Sequence, residues 1–189
     1  MPINRRAFII SSVTAVLLSG CSDDFRGNGF GGDGAARIDN DVDATLAELA
    51  HSFPDTNEIR NKSRGFLVFP FVTEAGLGLG GAFGRGALRS NGMTLDYYSM
   101  IKGSAGLQIG GQQYAHVLFF MTDEALQSFR QSPGFAAGAN VTYATPQQGA
   151  TAMAETTTAL APVIAVVFGQ QGIRAGATFE GVKYTRIIP

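Results

Sequence analysis

Ala75-Gly76-Leu77-Gly78-Leu79-Gly80-Gly81 returns thirty residues later as Ala105-Gly106-Leu107-Gln108-Ile109-Gly110-Gly111, and Ala175-Gly176 opens a looser echo that ends at Gly181. In each copy branched apolar residues alternate with Gly or Gln. On a strand, alternation of period two puts Leu and Ile on one face and nearly bare backbone on the other. A bare face lets another element approach closely or lets the sheet bend sharply. Two copies are too few for a stacked solenoid, so they read as paired strands of one curved sheet or barrel.

The segments around the repeat share this strand texture. Phe66-Leu67-Val68-Phe69 is an apolar run that Pro70 is expected to stop; Leu77 to Gly86, Thr94 to Ile101 and two runs within Ala105 to Met121 follow. Gly138 to Ala144, Val163 to Phe168 and Ile173 to Ile187 extend the series, while Thr145 to Ala161 is Ala/Thr-rich and reads as either a loop or a weak helix. Helices are expected where the period changes. Ile38, Val42, Leu46, Leu49 and Phe53 fall on one helical face, with Asp39, Asp41 and Asp43 near the positive end of the helix dipole. Pro54 breaks that helix and a short second one should run to Lys62. Thr122 is placed to cap a third, with Asp123 and Glu124 in its first turn, Leu126 and Phe129 facing inward, and Ser132-Pro133-Gly134 at its end. The expected class is therefore α+β: a mostly antiparallel, glycine-rich, curved or barrel-like sheet of about seven to nine strands with two or three short helices packed at its end.

Composition bounds the function. The chain has 189 residues, 25 of them Gly, a net charge of −1 and only 15% charged residues, which disfavours both a nucleic-acid-binding surface and a charge-driven disordered chain. One domain with a real core fits this length.

The N-terminus reads as a lipoprotein signal peptide over residues 1–20. Arg5 and Arg6 form the positive n-region, Ala7 to Leu18 an h-region too short for a bilayer span, and Leu18-Ser19-Gly20-Cys21 resembles the bacterial lipobox. Cys21 is thus the expected lipidation site and the first residue of the mature chain, whose two or three acyl chains would anchor it stably. Arg5-Arg6-Ala7-Phe8-Ile9 also resembles a twin-arginine export motif. Ser22, rather than the Asp that retains lipoproteins at the inner membrane, favours an outer-membrane, periplasm-facing destination. Residues 21–36 contain Gly27, Gly29, Gly31, Gly32 and Gly34 and read as a flexible tether, leaving 37–189 as the single folded domain. Because Cys21 is the only cysteine, an acylated mature domain has no thiol for a disulfide, a nucleophile or a metal site.

No catalytic constellation stands out. Gly76-x-Gly78-x-x-Gly81 matches a dinucleotide fingerprint, but Gly80, Gly81, Gly84 and Gly86 oppose the helix that the fingerprint needs. His51 and His116 are the only histidines, and each reads more simply as a capping or buried polar side chain than as a catalytic one. The acids of Asp39-Asn40-Asp41-Val42-Asp43 lack the Gly and closing Glu of a calcium loop and read as dipole partners. No metal or cofactor is expected. Lys62, Arg64, Arg85, Arg89 and Lys102 lie at or near the ends of the glycine-rich strands, where they are candidates for one cationic rim suited to phosphate head groups.

From Lys62 onward the sequence resembles the SYLF domain. The resemblance is carried by residues 65–70, both glycine repeats, Gly84-Arg85-Gly86-Ala87-Leu88, Tyr97-Tyr98-Ser99, the run Phe119 to Phe129 and the closing 172–187 segment. It implies lipid binding; Lys62, Arg64, Arg85 and Lys102 are the candidate contacts by their place at the strand ends. Eukaryotic members bind lipid partly through a basic amphipathic N-terminal segment, whereas here that region carries Asp39, Asp41, Asp43 and Glu48, so the covalent anchor at Cys21 stands in for the lost contact. The leading expectation is a non-enzymatic, outer-membrane-anchored lipoprotein whose folded domain binds a phospholipid- or phosphoinositide-like head group or acyl chain. A scaffold or stress protein that binds an envelope protein through a sheet edge is the alternative, and a hydrolase built on His116 with Ser104 or Asp96 is the weakest rival.

Overall fold

The structure is a computed structural model that describes residues 33–136, 141–144, 161–172 and 181–189. Two helices lead in, α1 (Asp33–Ser52) and α2 (Thr56–Lys62), followed by β1 (Gly65–Ser90), β2 (Met93–Phe120), α3 (Asp123–Gln131), β3 (Phe135–Ala136), β4 (Val141–Ala144), β5 (Val163–Gly172) and β6 (Val182–Ile187). They form one curved, six-stranded α+β sheet in which β2 is central and β1, β5 and β6 pair with it antiparallel; β4 joins β5 in the one parallel ladder. The described ladders do not close on themselves.

Among the described residues the strands number six, slightly fewer than expected, because two very long strands absorb four or five short ones. Asn91 (φ 52°) and Gly92 (φ 76°) join β1 to β2, the two consecutive left-handed residues of a type I′ turn whose twist matches the flanking strands. Pro70 does not end β1. The register skips between Phe69↔His116 and Val72↔Tyr114, so the missing proline N–H falls in a bulge rather than in the ladder. The two glycine repeats are paired across this hairpin, Ala75 with Gly111 and Gly76 with Gly110. There the ribbon turns its corner: Leu77 faces Ile109 and Leu79 faces Ala105, leaving one residue of β1 against three of β2.

Beyond the corner the distal half of the hairpin folds back over the proximal half. Ser90 Oγ donates to the carbonyl of Arg64 at 2.7 Å, and a Cβ built on Gly84 would lie 3.1 Å from the carbonyl oxygen of Phe71. Two clusters result from the alternation along the strands. Leu67, Phe69, Leu118, Phe120, Val163, Ala165 and Val167 point between the halves, where they meet Leu88, Tyr98, Met100 and Tyr184 from the distal layer and Phe129 from α3. Their neighbours Val68, Val117, Phe119, Ile164, Val166 and Phe168 point the other way, under α1 and α2.

All five residues of the expected α1 face, Ile38, Val42, Leu46, Leu49 and Phe53, belong to this second cluster. The helix begins at Asp33, inside the stretch read as tether, where Ala35 and Ala36 favour helix and Gly34 lies against Pro189. This earlier start overturns the dipole reading of the acids. Asp39 accepts from Thr94 Oγ1 at 2.7 Å and Tyr97 Oη at 2.8 Å and pairs with Arg89, which also meets Asp43 at 2.9 Å, so the acids pin α1 to the hairpin. In α3, Thr122 accepts from Ala125 N as expected, and Phe129 is buried. The expected residues of the signal peptide, Cys21 and most of the tether lie outside the described residues, as do most of Thr145 to Ala161 and the echo at 175–180.

Candidate functional site

Strand parity sorts the polar side chains into an interior group and a surface group. On β1 and β2 the inward positions include Val72, Glu74, Ala82, Met100, Lys102, Gln112, Tyr114 and His116, all buried. Glu74 and Gln112 are ladder partners, and Gln112 Nε2 donates to Glu74 Oε2 at 3.0 Å. Lys102 comes from the folded-over half and places Nζ 3.5 Å from Glu74 Oε1, joining the two layers by a buried ion pair. His116 follows, its ring 6.1 Å from those of Phe69 and Tyr184 and its Nε2 3.5 Å from Tyr184 Oη. Burial, reinforced by the Lys102 cation, holds the imidazole down to about 3. The ring is therefore neutral in the physiological range. Between about pH 6.5 and 3 the unfolded chain takes up a proton that the folded one refuses, so this site works against the fold in acid.

The outward positions of the same strands build a surface groove. Phe83 and Ile101 are a cross-strand pair, and the fold-back brings Phe71 into one groove with Phe83; Phe83, Ile101 and Phe71 are 49%, 56% and 54% exposed. With Ile38 and Asp41 of α1, Thr73 and Arg85, the phenylalanines line a groove of about 280 Å³. The Arg85 guanidinium lies 5.8 Å from the centre of the Phe83 ring. Exposed aromatic surface beside a cation suits an amphiphile with an anionic head.

The four expected rim residues do not form one rim. Lys62 pairs with Glu58 one turn back on α2 and pulls the Glu58 carboxyl below its ordinary range. Arg64 lies 3.5 Å from Asp123 at the start of α3, and only Arg85 lines the groove. Lys102 departs furthest from the expectation. It sits opposite Ala82 and one place from Ile101, so the period-two pleat turns it into the core at 3% exposure while its neighbour faces solvent. Arg89 is occupied by Asp39 and Asp43. Phe71 and Phe83 were not singled out from the sequence, because the bulge at Pro70 shows only in the strand register. Asp96, one expected partner of a His116 triad, is instead held by Arg130 at 3.2 Å and Arg186 at 3.3 Å, and the side chain of Ser104 lies outside the described residues. Among the described residues no group of three His, Cys, Asp or Glu is placed to hold a metal, and no helix is long and apolar enough to cross a membrane.

One family model matches the chain from Ile101 on β2, through α3, to Arg186 on β6. Residues 101–186 match the family model of the Ysc84 (SYLF) domain. The matching family model is described as Las17-binding protein actin regulator, and it is the family that the glycine-rich strands resemble. No curated protein is matched by the chain. The Ysc84 (SYLF) match opens at Ile101, the ladder partner of Phe83, and takes in Lys102, Gln112, His116 and Tyr184 of the buried polar group.

Proposed function

We propose that the chain is a non-catalytic lipoprotein, anchored through acyl chains on Cys21 in the outer membrane and facing the periplasm, whose Ysc84 (SYLF) domain binds lipid. The observation that carries the reading is the union in one chain of the lipobox Leu18-Ser19-Gly20-Cys21 with the SYLF strands matched over 101–186. The aromatic groove beside Arg85 supports it by offering a surface with apolar and cationic parts together. Acidic Asp39, Asp41 and Asp43 occupy the N-terminal helix, which argues against attraction of that helix to an anionic membrane by charge and in favour of a covalent anchor.

A protein partner is the second reading, favoured by the family description, which names binding to a protein. The anchor is tested by expressing the full chain as wild type and as Cys21→Ala. The wild type is expected in the membrane fraction with a mass increased by acyl chains and to stay there through an alkaline high-salt wash that releases Cys21→Ala, since two or more chains are what give stable anchoring. An unmodified Cys21, or membrane retention of Cys21→Ala equal to wild type, overturns the anchor.

A further inference from the structure

Phe71, Phe83, Arg85 and Asp41 line one groove, which brings a cation and a carboxylate together with two half-exposed rings. A purely anionic ligand would meet Arg85 favourably and Asp41 unfavourably. A zwitterionic head group satisfies both: its phosphate suits the guanidinium of Arg85, and its ammonium suits the carboxylate of Asp41 and the faces of the phenylalanines. The exposed apolar side chains Phe71, Phe83 and Ile101 give the same surface something to insert below the head groups.

Position favours a bilayer as the source of that head group. Ile38 and Asp41 line the groove from α1, which starts at Asp33, twelve residues after Cys21. Twelve residues span at most about 40 Å even when fully extended. An anchor at Cys21 therefore keeps the groove within reach of the membrane that holds it, where its contact becomes effectively intramolecular. Three apolar side chains flanked by one pair of charges fall well short of the 20–30 residues a side, roughly, of a stable protein interface, which disfavours a second copy as the occupant.

We propose that the Phe71–Phe83–Ile101 surface is the membrane-facing side of the domain, resting on zwitterionic phosphoethanolamine head groups with Arg85 and Asp41 as the paired head-group contacts. This rests on the lipid-binding reading above and names its surface and its lipid class. The chain contains no Trp, so a single introduced one is a clean reporter. Full-length acylated Phe83→Trp and Gln127→Trp proteins, the latter on α3, would be reconstituted in vesicles of phosphatidylethanolamine and phosphatidylglycerol containing a brominated phosphatidylethanolamine. Phe83→Trp should be quenched at least about threefold more than Gln127→Trp, because a ring sunk roughly 5–10 Å into the interface meets the bromines. Adding Asp41→Asn should weaken that quenching.

Equal quenching of the two reporters overturns the surface, and quenching unchanged or strengthened by Asp41→Asn overturns the zwitterionic head group. A blue shift of Phe83→Trp that grows with protein concentration without vesicles assigns the surface to a second copy and overturns the proposal. The anchor is judged separately, from the mass of the mature chain. An unacylated chain added to the same vesicles permits the same comparison of reporters, so a missing anchor and a wrong surface give different results.

Discussion

Gly86→Ala is expected to destabilise the fold strongly, although it adds one methyl group to a strand. A Cβ at Gly86 would lie 1.9 Å from the carbonyl oxygen of Val68, 2.8 Å from its carbonyl carbon and 2.9 Å from Phe69 Cδ1. Two of those atoms are backbone, so no rotamer change relieves the contact; the folded-over half of β1 must lift from the proximal half. Overpacking in a core usually costs about 1–3 kcal/mol, and a clash with main chain belongs at or above the top of that range. In a chain of this size each kcal/mol lowers the melting temperature by about 2–4 °C, so a fall of roughly 10 °C or more should be seen by circular dichroism. Gly103→Ala is the matched control, because nothing lies within 4 Å of its Cβ position. A Gly86→Ala protein that melts with the wild type contradicts the doubled-back hairpin.

The second large effect belongs to the buried pair. Removing one member of a buried ion pair leaves the other charge in the core without its counter-charge and costs about 3–5 kcal/mol, whereas replacing both by apolar or neutral groups of similar shape is often nearly neutral. Lys102→Met should therefore lower the stability measured by chemical denaturation by about that amount, and so should Glu74→Gln. The double variant should recover most of the loss, giving a coupling energy of roughly 2 kcal/mol or more in a double-mutant cycle. Additive losses would mean that Glu74 and Lys102 do not meet across the two layers at the 3.5 Å found here.

Local physics made part of this fold legible. The apolar face of α1 from Ile38 to Phe53, the Thr122 cap and the buried Phe129 depend only on helical period and on orphan amide groups, which a sequence displays directly. The pairing of the two glycine repeats was legible as well, because a period-two pattern that returns with the same spacing suits a hairpin. The length of the hairpin was hidden by Pro70, whose usual meaning as a strand breaker was overridden by a bulge. The Asn91-Gly92 turn signal was present and identifies the tip.

The site was less legible for a reason of parity. Whether Lys102 faces solvent or core depends on the register beyond the three-against-one corner at Leu77 and Leu79, and a shift of one residue exchanges the faces. The groove is harder still, since Phe71, Phe83 and Asp41 meet only after the ribbon folds back and α1 docks on it. Arg85 alone among the four expected cations reached the surface that could use it.

The lipid-binding function requires that the folded domain bind lipid by itself. Cosedimentation of the full-length Cys21→Ala protein with vesicles containing phosphatidylethanolamine tests this without help from an acyl anchor. The protein is expected in the vesicle pellet, and Phe83→Ser with Arg85→Gln is expected to leave it in the supernatant. Failure of the Cys21→Ala protein to sediment with vesicles of any phospholipid composition would contradict the account.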